Sequence, residues 1–259
     1  GRKKEALAMA EAVLDHSPGE VEALIVAASI RQSTGKYEAA KRAYEKVIEK
    51  DPEQRNIYLV LARLYLNDNE SEKAIELLEQ FVKQFKADYP GFYYLAKAYF
   101  QTGEFDKAVD SYEKSLGCEP GLIEPHFGLI EIYKQRGEKD KAVAQYKKLL
   151  ERHPDNEAAS IELGLLYEEI GNMQGASEIW SKLAARLSSD SDLFSSIARR
   201  LLGQKRYDDA VTAVSGMLKY APQSPALHYL AGAALYMQNQ YETALKHFSL
   251  IRPGDDLYP

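Results

Sequence analysis

Residues 103–137 read GEFDKAVDSYEKSLGCEPGLIEPHFGLIEIYKQRG, and the stretch opens and closes on glycine, 34 residues apart. Inside it stand Ala108, Tyr112, Pro120 and Leu129, and each belongs to a column that recurs along the whole chain at the same step. The alanine column is unbroken: Ala6, Ala40, Ala74, Ala108, Ala142, Ala176, Ala210 and Ala244. Eight alanines in one register with no slip are an internal repeat, not a matter of composition.

Other columns share the period. Gly35, Asn69, Gly103, Gly137, Gly171, Lys205 and Asn239 form a turn column, dominated by the two residue types that enter the left-handed region most easily. Such a residue ends a helix. Pro18, Pro52, Pro120, Pro154 and Pro222 mark unit ends, with Lys86 and Ser188 in the two missing places. A large residue lies four places after each alanine from Ala40 onward: Tyr44, Leu78, Tyr112, Tyr146, Trp180, Val214 and Phe248. The column of Leu61, Leu95, Leu129, Leu163 and Ile197, with Ala27 and Ala231 in the end repeats, precedes one of mostly small residues: Ala28, Ala62, Ala96, Gly164, Ala198 and Gly232, Ile130 excepted.

This pattern resembles the tetratricopeptide repeat family, over the entire chain. The resemblance implies an all-α fold, a right-handed α-solenoid of helix–turn–helix units whose first helices line a concave side. Each first helix is expected over about the first 14 positions of a unit, and each second helix over about positions 17–30. Residues 1–20 read as the second helix of a truncated repeat. Six full repeats follow at 21–54, 55–88, 89–122, 123–156, 157–190 and 191–224, and residues 225–259 hold a seventh and the start of another. With its turn residue at Gly1 and no capping helix after Tyr258-Pro259, the chain is expected to be a piece of a longer protein.

Three units depart from the pattern. The second ends in Lys86-Ala87-Asp88, and Pro90 falls where the first turn of the next helix accepts it. The fifth ends in the polar run Ser188-Ser189-Asp190-Ser191-Asp192, suited to capping. The sixth places Gly203 and Lys205 at its turn. The join between the fifth and sixth units is therefore either a softer point or an ordinary turn of different sequence.

Composition narrows the function classes. The formal net charge is −6 at pH 7, so no overall basic field draws the chain to nucleic acid. No apolar run approaches the roughly 20 residues a membrane-spanning helix needs. One cysteine, Cys118, allows no intrachain disulfide and fits a reducing, cytoplasmic compartment better than a periplasmic one.

Chemistry-bearing motifs are missing. The histidines, His16, His126, His153, His228 and His247, show no metal-ligand spacing, and His126 and His228 share a repeat position that packs an aromatic. Cys118 is followed by Glu119 rather than by positive charge, against a reactive thiolate. The glycines follow the repeat and form no phosphate-binding loop. Asn69-Glu70-Ser71 fits a glycosylation acceptor, but Asn69 is accounted for by the turn column. The many carboxylates read as solvated, as do the basic patches Arg2-Lys3-Lys4 and Arg199-Arg200 with Lys205-Arg206. No enzyme activity, cofactor or metal is expected.

What remains is a binding surface. Three columns of the first helices would line the groove: Ile25, Leu59, Tyr93, Phe127, Ile161, Ser195 and Tyr229; Ser29, Arg63, Lys97, Glu131, Leu165, Arg199 and Ala233; Gln32, Leu66, Phe100, Lys134, Glu168, Leu202 and Tyr236. Leu59, Arg63, Leu66, Tyr93, Lys97, Phe100, Phe127 and Glu131 are the candidate protein-binding residues. Apolar anchors around two neighbouring cations suit an extended peptide or an amphipathic helix carrying an acidic group. Two ligand types known in the resembling family are not expected: the asparagines of a chaperone-tail clamp are missing, and Val26, Val60, Tyr94, Gly128, Glu162, Ser196 and Leu230 replace the asparagine ladder of O-linked sugar transferases. The alternatives to a peptide-binding scaffold are a spacer that self-associates through its ends and an accessory region of a larger enzyme such as a glycosyltransferase.

Overall fold

The computed structural model describes residues 2–86, 89–187 and 200–252. The expectations at Ser188–Asp192, at Ser195, Ser196, Ile197, Ala198 and Arg199, and in the tail from Pro253, lie outside the described residues. Among the described residues the chain is all-helical and divides into two compact units, Gly1–Ile132 and Tyr133–Pro259. The first unit holds α1 (Arg2–His16), α2 (Val21–Ser33), α3 (Tyr37–Lys50), α4 (Arg55–Asn67), α5 (Ser71–Gln84), α6 (Tyr89–Gln101), α7 (Phe105–Cys118) and most of α8 (Ile123–Gln135). The second holds the end of α8 and α9 (Lys139–Arg152), α10 (Glu157–Glu169), α11 (Met173–Leu187), α12 (Tyr207–Leu218), α13 (Pro225–Met237) and α14 (Tyr241–Phe248).

Each first helix ends in the same way. The turn residues Gly35, Asn69, Gly103, Gly137, Gly171, Lys205 and Asn239 all have positive φ, between 58° and 79°. Two backbone bonds close every turn. At the first, Gly35 N–H donates to Gln32 O (3.1 Å) and Lys36 N–H to Arg31 O (2.9 Å). At the sixth, Lys205 N–H donates to Leu202 O (3.0 Å) and Arg206 N–H to Leu201 O (2.8 Å). This double bond set caps the orphan carbonyls of the helix end. Lysine at the sixth turn thus takes the conformation glycine takes elsewhere, against the steric preference of its Cβ.

The helices pack in sequence order as antiparallel neighbours: α2 on α3, α4 on α5 and α6 on α7 in the first unit, α10 on α11 and α13 on α14 in the second. The alanine column lies inside those pairs. Ala40, Ala74, Ala108, Ala142, Ala176, Ala210 and Ala244 are at most 1% exposed, while Ala6 on α1 is half-buried. Around them lie the large residues Tyr44, Leu78, Tyr112, Tyr146, Trp180 and Val214, all buried.

Glycine makes room for the largest of these rings. A Cβ at Gly164 would lie 2.4 Å from Trp180 Cη2, and one at Gly216 would lie 2.3 Å from Trp180 Cδ1. The same relation holds for Gly128 and Tyr112 Cζ, at 2.3 Å, and for Gly91 and Phe81 Cε1, at 2.4 Å. Interiors are packed at crystal-like density, so even one methyl group has nowhere to go at such a contact. Gly164→Ala, which intrinsic helix propensity alone would favour, is expected to destabilise the protein by roughly 1–3 kcal/mol. A fall in the circular-dichroism melting temperature checks this, and a rise would show that the ring moves aside at no cost.

Candidate functional site

The candidate residues all lie in the first unit, on α4, α6 and α8. Arg63 and Glu131 are exposed; Leu59, Tyr93, Lys97, Phe100 and Phe127 are half-buried. Leu66 is not part of the lining. It is 4% exposed, and its apolar side chain belongs to the core. Its repeat position is thus a boundary one, where polarity decides the side. Leu66 turns in, Phe100 stays half-buried against Phe105 (5.7 Å between ring centroids), and Lys134 is exposed.

A cleft of about 660 Å³ opens beside Arg63, lined by Ser29, Gln32, Ser33, Tyr37 and Asn67 among others. Of the lining residues, Gln32 accepts at Oε1 from the buried Tyr44 hydroxyl at 3.0 Å. Burial raises the pKa of that hydroxyl, against the opposing effects of Ser29 and of the Arg63 charge. One repeat further, Lys97 Nζ stands 5.8 Å from the Tyr93 ring centroid, a cation–π distance. Burial, then Glu124 and Tyr94, push the Tyr93 hydroxyl up. Neither Arg63 nor Lys97 makes an ion pair or a hydrogen bond among the described residues.

Other cations are consumed inside the protein. Lys41 is 2% exposed and sits among Glu38 (2.5 Å), Asp68 (2.8 Å) and Glu70. Burial opposes its charge, and the three carboxylates outweigh that and raise its pKa. Those carboxylates offer oxygens within 4.8 Å of one another, a spacing that fits a cation, and the ammonium supplies that charge. Next to it a staple links successive repeats. Tyr65 donates to Glu45 and lies under Lys73 (5.5 Å), which also pairs with Glu70. Tyr99, Glu79, Lys107 and Glu104 repeat the arrangement one unit on. The spacing of Tyr65, Tyr99, Tyr133 and Tyr167 is visible in the sequence and could have revealed this ladder.

In the second unit Glu162, Arg200 and Arg206 depart from the reading of carboxylates and basic patches as solvated, while Arg2, Lys3, Lys4 and Lys205 are exposed as that reading expects. Glu162 is 7% exposed and receives Arg200 (2.8 Å) and Arg206, while Arg206 Nε also donates to Asp209 at 2.7 Å. Burial works against the Glu162 charge, but Arg206 and Arg200 hold its pKa below the usual carboxylate range. Arg200 and Arg206 are therefore counter-charges to a buried carboxylate.

Two of the histidines also meet where spacing gave no sign of it. His228 Nε2 lies 3.0 Å from Pro222 O, and its Nδ1 lies 3.2 Å from His247 Nδ1. A carbonyl only accepts, so Nε2 of His228 carries hydrogen, and His247 donates to the free Nδ1. Burial, then His228, lower the pKa of His247. The unfolded chain therefore takes up this proton first as pH falls. Stability is expected to be level above about pH 6.5 and to decline below it. Melting curves at pH 8 and pH 5.5 measure the loss, and His247→Gln is expected to shrink it.

Among the described residues no helix is long and apolar enough to cross a membrane. A comparison with curated proteins finds no match. Family models described as tetratricopeptide repeat match residues 32–95, 90–122, 127–192 and 196–259. Among solved structures, a crystal structure of MamA is 26% identical over 62% of this chain and 88% of that one, with a TM-score of 0.56. A tetratricopeptide repeat protein from Parabacteroides merdae ATCC 43184 shares the fold at 17% identity, covering 92% of this chain and 95% of its own, with a TM-score of 0.57. Helix pairs closed on left-handed turns, locked through a buried alanine and matched by these models in both units, establish that the chain belongs to the tetratricopeptide repeat family.

Proposed function

We propose that the chain is a non-catalytic scaffold that holds a peptide or helix of another protein against the first-helix face of α4, α6 and α8. One observation carries this reading. Arg63 and Lys97 remain without carboxylate partners beside the half-buried rings of Tyr93, Phe100 and Phe127, in a protein that neutralises Lys41 and Glu162 internally. Aromatic side chains and arginine dominate the energetics of protein interfaces, because they offer large area and directed hydrogen bonds. Affinity capture from lysate of the source cells tests it, comparing the wild type with a Tyr93→Ala/Phe127→Ala/Arg63→Ala variant of unchanged helicity. A partner held by the wild type and lost by the variant is expected. A partner held equally by both would remove the site from this face.

A second reading, self-association, has its own observation. Met9 is 71% exposed and Val13 45%, yet the residues at the same repeat positions, such as Ala43 and Val47, are buried. With Val26 they line an apolar cleft of about 400 Å³ at α1 and α2. If this face receives another copy, sedimentation equilibrium will show mass rising with concentration, and Met9→Lys will abolish the rise. A constant monomer mass overturns it.

A further inference from the structure

We infer that His228 and His247 form a metal site, in which their two Nδ1 atoms ligate one divalent late transition-metal ion and water fills its remaining positions. The inference is independent of the first-helix face, since both histidines lie in the second unit.

The fold brings the ligands together. His228 stands in the first turn of α13 and His247 near the end of α14, and these two helices pack on each other. The Nδ1 atoms are 3.2 Å apart, with 5.4 Å between the ring centroids. Zinc–imidazole bonds are about 2.0–2.1 Å long, so nitrogens at that spacing subtend about 100° at a shared ion, close to the tetrahedral angle. The ion lies to one side of the line between the nitrogens, and a small tilt of each ring aims its lone pair there. The other nitrogen of His228 is already engaged as metal-bound imidazoles require. Its Nε2–H donates to Pro222 O at 3.0 Å, which fixes the tautomer and leaves the Nδ1 lone pair facing His247.

His247 supplies the second ligand and the way in. It is half-buried, so its open side admits the ion and the water that completes the coordination. Burial, then His228, lower its pKa, and the ring is neutral at pH 7.5. In the metal-free pair its Nδ1–H is the donor. When the ion enters, that proton moves to the ring's own Nε2, and no net proton is released. Two neutral imidazoles select zinc, nickel or copper over magnesium and calcium, which take oxygen ligands.

The repeat itself offers a comparison. The same two positions hold Tyr58 and Leu77 in the second unit, Phe92 and Ser111 in the third, and His126 and Gln145 in the fourth. Histidine at both occurs only in the seventh. Helix pairs of this register therefore close without two imidazoles, and packing does not account for the pair.

Isothermal titration of Zn²⁺ into the full chain at pH 7.5 tests the site, in a Cys118→Ser background that removes the exposed thiol. One ion per chain is expected. Loss of a supporting group alone costs about 10–100-fold in metal affinity, so His228→Gln and His247→Gln should each weaken binding by about tenfold or more. His153→Gln should leave it unchanged. Because His228 is buried, the site is also read without touching either histidine, by nitrogen NMR of the imidazoles. Zn²⁺ should draw the two Nδ1 signals together, that of His228 from the bare-nitrogen position and that of His247 from the protonated one, while Nε2 of His228 keeps its hydrogen. No binding at millimolar Zn²⁺, binding that survives either substitution, or Nδ1 signals that stay apart at saturation would each overturn the inference and leave the pair as a hydrogen bond alone.

Discussion

Every helix pair in this protein depends on how closely two backbones can approach at one alanine. A methyl group is all that fits there, and seven of the eight alanines are shut off from water. The column contributes little apolar area itself. Its value is permissive, because close approach lets the flanking leucines and rings interlock at interior density. Volume is then conserved locally rather than column by column. Trp180 is the bulkiest member of its column, and Gly164 and Gly216 on the facing helices are among the smallest residues available. The repeat holds its average while single positions trade size across the interface.

Charge is handled by the same economy of space. Burying a lone ion costs several kcal/mol, and a buried pair survives only where further groups complete it. Lys41 has three carboxylates about it, and Glu162 has two guanidiniums with Asp209 behind them. Loss of either central group would strand like charges that now share one counter-ion. Arg63 and Lys97 are treated differently, on a surface whose rings are only half withdrawn from water. That contrast separates cations that hold the stack together from cations that no carboxylate among the described residues engages.

The register of the fold was legible in the sequence because it is periodic. The turn residues, the buried alanines and the helix starts at Val21, Arg55, Tyr89, Ile123, Glu157 and Pro225 all keep one step. Contacts that break the period were not legible. Glu162 meets Arg200 and Arg206 at separations of 38 and 44 residues, and His228 meets His247 at 19, none of them a multiple of 34. Leu66 was misplaced for a related reason, since a column fixes direction from the helix axis but not the depth of each side chain. The candidate face was half legible. Its members could be read from their columns, but the lack of partners at Arg63 and Lys97 shows only once all neighbours are in place.

Trp180 has a consequence for anyone observing this molecule with light. It is the single tryptophan beside 18 tyrosines, and it is buried in the second unit with its indole N–H donating to Glu168 at 3.1 Å. Its emission therefore senses the surroundings of one unit only. Rearrangements confined to residues 1–132 would leave the tryptophan band unmoved while tyrosine absorbance changed. The chain thus carries a built-in optical label for one half, so that the two units can be followed separately without attaching a dye.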